Sequence, residues 1–184
     1  MGRKNNKVID IFGATNSLKV LSYLAQDPSK ESLASEIQKA TLASRAGVYF
    51  ALKELMRQGL VSQERRGKVI FYRIVYDDAA IKQFKILKNV FSLRPIVAKL
   101  KPFSRKIVLY GSYSRGENDS TSDIDLFILS KEPEATKGAV SSIKTKQKLQ
   151  TVIKTATEMV SFKESEKVFM QEVERGITLW EEKE

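Results

Sequence analysis

"YGSYSRGENDSTSDIDLFIL", residues 110–129, sets a Gly-Ser pair, a polar run and two aspartates ahead of a strongly apolar segment. "SDIDLFIL" alternates as a strand does. Asp123 and Asp125 therefore share one face, while Ile124 and Leu126 turn to the core. Two carboxylates on one face repel each other unless a cation lies between them. The chain has no histidine and no cysteine. That removes the commonest general base, disulfides and thiolate zinc sites, and leaves hard Mg²⁺ or Mn²⁺ as the fitting partner for oxygen ligands. Gly111 lets backbone approach a ligand closely. Ser112 and the amides after it, at the start of a helix opened by "YSRGEN", suit phosphate oxygens. The aspartates are expected to hold metal, and the turn the triphosphate that the metal bridges.

Around this stretch the pattern is β-α-β, with "KIVLY" a buried strand ending at Gly111 and "KLQTVIKT", residues 148–155, a later one. Gly111-Ser112, ten residues, then Asp123-x-Asp125 resembles the signature of the minimal nucleotidyltransferases of the DNA polymerase β-like superfamily. Arg115-Gly116 and Ser122 also match, and the resemblance covers roughly residues 92–182. It implies transfer of a nucleoside monophosphate from a nucleoside triphosphate to a hydroxyl, releasing pyrophosphate. Asp123 and Asp125 are the implied catalytic metal ligands, with Gly111, Ser112, Arg115 and Ser122 on the nucleotide. The family also supplies a third carboxylate from a later strand. Here no Asp or Glu lies between residues 135 and 157, and Gln150 occupies the expected place, with Glu158 a stand-in past the strand end. A neutral amide binds Mg²⁺ weakly and accepts no proton, so transfer is expected to be weak or absent.

The first half is written differently. The net charge of +10 is uneven: residues 1–76 carry 13 Lys/Arg against 6 Asp/Glu, and residues 77–184 carry 19 against 16. A basic front on a nearly balanced back points to a polyanion met by the first part. "NSLKVLSYLAQDP" reads as a helix capped by Asn16 or Ser17 and stopped at Pro28. "SKESLASEIQKAT" reads as a second, with Ser32 as its cap. "ASRAGVYFALKELMRQGL" is the strongest helix, with Val48, Leu52 and Leu55 as core and Gly59 as its left-handed stop. "VSQERRGKVIFYRIV" is a hairpin with a basic tip. Residues 8–76 resemble the winged helix-turn-helix domains of bacterial and archaeal transcriptional regulators. The resemblance implies duplex DNA as partner. Ser44, Arg45 and Tyr49 would stand on the recognition helix, and Arg65, Arg66 and Lys68 on the wing. Phe50 departs from the polar readers usual at its position.

"DDAAIKQFKILKNVFSLRPIVAKLKPF" predicts a connecting helix with a stripe of Ile81, Phe84, Leu87 and Phe91, broken or bent at Pro95. Its apolar face is either core or a dimer seam. The tail "ESEKVFMQEVERGITLWEEKE" predicts a helix turning on Val168, Glu172 and Gly176, with Trp180 either in the core or over a base. The expected fold is α/β (α+β): a winged helix-turn-helix domain at 1–76, a connecting helix at 77–104, and a small nucleotidyltransferase domain with a mixed sheet and flanking helices at 105–184. Two readings of the whole stand open. One is a DNA-associated protein that binds NTP with Mg²⁺ and transfers a nucleotidyl group, with a protein hydroxyl as one acceptor. The other is a non-enzymatic transcriptional regulator whose degenerate transferase domain senses nucleotide or docks a partner. No apolar run approaches a membrane span, and "MGRKNNKVID" leads into no signal-peptide core. A cytoplasmic protein, with a homodimer among its expected states, fits these features.

Overall fold

The computed structural model describes residues 11–183, so the basic leader "MGRKNNKVID" lies outside the described residues. The chain divides into two compact units, Met1–Ile81 and Lys82–Glu184.

In the first unit, helices α1 (Asn16–Leu24), α2 (Ala34–Thr41) and α3 (Arg45–Arg57) are joined by a sheet of β1 (Ser32–Leu33), β2 (Val61–Arg66) and β3 (Val69–Ile74), in the order β1-β3-β2. Three helices with a hairpin after the third are the winged-helix arrangement. Leu21, Leu24, Ile37, Val48, Leu52 and Leu55 are buried, as the helical spacing predicts, and Val20 is buried with them while Leu18 is half-buried. Gly59 takes φ +73 just beyond α3, the left-handed conformation that stops a helix without strain. Two expected caps move. Thr15, not Asn16 or Ser17, accepts the amide of Leu18 at 3.2 Å. Ser32 does not cap α2, because it pairs with Tyr72 in β1, and the Glu36 carboxylate instead accepts the Leu33 amide.

The second unit is a four-stranded mixed sheet in the order β6-β5-β4-β7, where β4 is Ser104–Tyr110, β5 Ile124–Ser130, β6 Leu149–Lys154 and β7 Ile177–Glu181. β4 runs antiparallel to β5 and β7, and β6 parallel to β5 after a crossover through α6 (Pro133–Ser141). Strand alternation divides the apolar residues between the two faces. Ile107, Leu109, Ile124, Leu126 and Ile128 pack with Leu93, Ile96 and Leu100 of α4 (Ala79–Leu100). Val108 and Phe127 pack on the other face with Met170 and Val173 of α8 (Lys167–Glu174) and with Phe162 of α7 (Ala156–Ser165). Each large side chain buried this way contributes about 1.5–3 kcal/mol.

Three expectations change here, and for Trp180 one of two expected places holds. Pro95 neither breaks nor ends α4, which runs through it; the proline stands on the exposed side, where its missing N–H costs least. The buried stripe of α4 is Ile81, Lys85, Asn89, Leu93, Ile96 and Leu100, and Leu87 faces out. The tail makes the expected helix, α8, and then β7, but its inward face is Met170 and Val173, with Val168 78% exposed. Trp180 belongs to the core side: it pairs with Ile107, packs against the α4 cluster and donates its ring N–H to the Lys101 carbonyl. Among the described residues no helix is long and apolar enough to cross a membrane.

Candidate functional site

β4 delivers the chain to Gly111, where the short helix α5 (Gly111–Arg115) begins with φ +69. A Cβ at Gly111 would stand 2.4 Å from Oδ2 of Asp125. Glycine is required, and the group that approaches is the aspartate of the next strand. Tyr110 faces Asp125 across the β4–β5 ladder, so the Gly-Ser turn begins at the residue next to the one paired with that aspartate. The turn is fixed from behind. Gly116, at φ +68, ends α5 in close contact with the backbone of Lys82, which a Cβ would reach at 2.3 Å. Asn89 donates to the Tyr113 carbonyl at 2.9 Å and to Asn118 Oδ1 at 2.8 Å, and Lys85 donates to the Asn118 carbonyl. Tyr113, Ser114 and Asn118 are thereby buried, although "YSRGEN" reads as too polar for core. The polar pair Lys85 and Asn89, four residues apart on a buried helix face, was the sequence signal for this support and is easily passed over.

The register of β6 places Gln150 opposite Asp125. Paired residues share a face, so Gln150 joins the aspartates, and its Nε2 donates to Oδ2 of Asp123. Lys148 brings its ammonium to 3.9 Å from the same oxygen. Asp125 has its carboxyl pushed up from the ordinary aspartate range, first by burial and then by the charge of Asp123, with Arg115 pulling the other way. Burial and the Asp125 charge likewise raise Tyr110.

Arg115 is half exposed and held by two carboxylates, Glu117 at 2.8 Å and Glu172 at 3.1 Å. Glu172 also reaches Arg175 at 3.6 Å, and Ser114, Arg115, Glu172 and Arg175 line a cavity of about 380 Å³. Arg175 gave no motif by which to find it. Ser112 stands at the turn, and among the described residues no hydrogen bond engages its hydroxyl. The Ser122 hydroxyl accepts the Asp119 amide at 2.9 Å and donates to the Asp119 carboxylate, tying the 119–122 turn just ahead of Asp123. Glu158 lies in α7 beyond β6, where it caps the helix at Thr155.

Two oxygen-only ligands on one face suit one hard divalent ion shared with phosphate oxygens. A second ion would need a third carboxylate, and among the described residues no three acidic side chains converge.

In the first unit Ser44 is the N-cap of α3, accepting the Gly47 amide at 3.0 Å, and Arg45 and Tyr49 are exposed on that helix. On the wing Arg65 and Lys68 are exposed, and among the described residues neither is ion-paired. Arg66 differs from them. It makes paired bonds at 2.8 Å to Glu31 and at 2.7 and 3.0 Å to Glu64, and lies over the Phe71 ring. These bonds give Arg66 a clamping role inside the unit, beside the phosphate contact that the wing resemblance implies.

Residues 92–179 match the family model of the nucleotidyltransferase domain. Among solved structures the chain is similar to the homodimeric winged helix-turn-helix DNA-binding domain of a possible ArsR-family transcriptional regulator from Mycobacterium bovis. The identity is 25%, over 45% of this chain and 72% of that one, with a TM-score of 0.36. The search of curated proteins gave no match. The Gly-Ser turn beside Asp125 lies inside the matched span, so residues 92–179 are similar to nucleotidyltransferase domains and follow a unit with the winged-helix arrangement.

Proposed function

We propose that the second unit binds a nucleoside triphosphate with Mg²⁺, and that the winged-helix unit binds duplex DNA. The observation that carries the first part is the closeness of Gly111 to Asp125, whose Oδ2 a Cβ on the glycine would meet, so that the Gly-Ser turn abuts one of the two aspartates. Asp123 and Asp125 would hold the ion, whose charge would screen the triphosphate and the leaving pyrophosphate. Ser112 offers its hydroxyl to the phosphates, and Arg115 offsets their charge once it leaves Glu117 or Glu172. In transfer, an acceptor oxygen bonds to the α-phosphorus, the bond to the β-phosphate oxygen breaks, and the acceptor's proton must go to a base. Gln150 cannot take that proton. This favours a domain that binds and senses nucleotide well and transfers it poorly, to a protein hydroxyl or another hydroxyl.

Calorimetry tests the binding directly. Wild type titrated with a non-hydrolysable NTP should release heat only when Mg²⁺ is present, and Asp123→Asn with Asp125→Asn should abolish it. A wild type that binds no nucleotide in Mg²⁺ or Mn²⁺ sinks the reading.

A further inference from the structure

One face of α3 buries Val48, Ala51, Leu52 and Leu55; the opposite face carries Arg45, Tyr49, Phe50 and Lys53. Tyr49 and Phe50 are 60% and 64% exposed, and their rings meet edge to face at 5.4 Å. Leu42, in the turn before the helix, is 89% exposed and holds a left-handed backbone at φ 54, which costs a leucine about 1 kcal/mol or more. Single exposed apolar residues need no explanation, but adjacent rings held against each other beside such a leucine mark a surface meant to be covered.

Charge selects the occupant. Along α3 and the turn before it the sequence holds Arg45, Lys53 and Arg57 against one acid, Glu54, which is ion-paired with Arg57. Among the described residues neither Arg45 nor Lys53 is ion-paired. A second copy of the chain seated symmetrically on this face would bring cation against cation. The fitting partner is anionic at its rim and apolar at its centre. The major groove of duplex DNA is both: phosphates line it, and each thymine presents a methyl group that aromatic carbons can cover.

We propose that the Tyr49–Phe50 pair reads a thymine methyl group in the major groove, with Phe50 the specificity-determining ring and Tyr49 holding its orientation. This rests on the DNA-binding reading of the first unit. It turns the departure at Phe50 into the reader itself.

The test begins with the tightest duplex that the full chain selects from a random pool. Each thymine is then replaced by uracil, which removes the methyl and leaves every hydrogen-bonding group. Wild type should lose about fourfold in affinity at one thymine or more, the worth of one buried methyl. Phe50→Ala should bind the thymine duplex more weakly and be indifferent to uracil at that position, while Phe50→Leu keeps part of the discrimination. If wild type is indifferent to uracil at every position, or Phe50→Ala remains as sensitive as wild type, the proposal is overturned and DNA binding itself stands. If no duplex is bound at all, both fall.

Discussion

Gln150 lies opposite Asp125 in the parallel ladder and donates its amide to the carboxylate of Asp123. The residue that takes the place of an acid is thus bonded to one of the two acids that remain. It donates a hydrogen bond to Asp123 where a carboxylate would repel it, and as an amide it offers a reacting hydroxyl no base.

Gln150→Glu should reverse both effects. Without metal, a third carboxylate adds repulsion and the melting temperature should fall. With Mg²⁺ it should rise above its metal-free value by more than wild type's does. Pyrophosphate release should increase about tenfold or more, since a second ion gains a ligand. A wild type already as fast as the variant would show that the third acid matters little.

Asp125→Asn should stabilise the metal-free protein at neutral pH. The folded carboxyl titrates above its ordinary value of 3.8 because burial and Asp123 disfavour its charge. The folded state then holds its proton more tightly than the unfolded state does. Stability is lost as pH rises from that ordinary value through the folded one, and stays lost above it. The variant's advantage in melting temperature should be full at pH 7 and shrink as pH falls towards 3.8. An advantage that does not change with pH would assign the effect to packing.

Gly111→Ala should destabilise by about 1–3 kcal/mol from backbone strain alone, with the collision against Asp125 added. Denaturant melts of Gly111→Ala, Asp125→Ala and the double variant make a cycle. The double variant should be less destabilised than the two singles summed, because the collision is gone while the strain persists. Strict additivity would mean that the two residues do not touch.

On the wing, Arg65→Ala with Lys68→Ala should lower the slope of log affinity against log salt by about two units. Arg66→Ala should leave the slope nearly unchanged and lower thermal stability instead, since Glu31 and Glu64 lose their shared partner. Fluorescence anisotropy across a salt series reads the first effect and a thermal melt the second. A slope that falls equally for all three residues would return Arg66 to the interface.

Much of this could be read directly from the chain. Strands of the second unit announce themselves because both faces are covered, so Ile107 to Leu109 and Ile124 to Ile128 are apolar almost without a break. The place of Gln150 followed from counting along one more strand, and the ladder puts it beside the aspartates. What escaped was settled by partners distant in sequence. Ser32 reads as a helix cap until Tyr72, forty positions on, pairs with it. Arg66 reads as a free wing cation until Glu31 meets it. Tyr113 and Asn118 read as too polar a stretch for core until Asn89 of α4 bonds to both.

Since β6 borders only β5, a change at position 150 disturbs one neighbouring strand and no close-packed interior. Glutamine and glutamate codons differ by a single base. On the proposed function, a lineage carrying this fold would gain or give up turnover in one mutational step while the scaffold around Asp123 and Asp125 stays as it is. The outermost strand acts as the replaceable part of the device, and natural variation at this one codon should divide related chains into those that spend nucleotide and those that only register it.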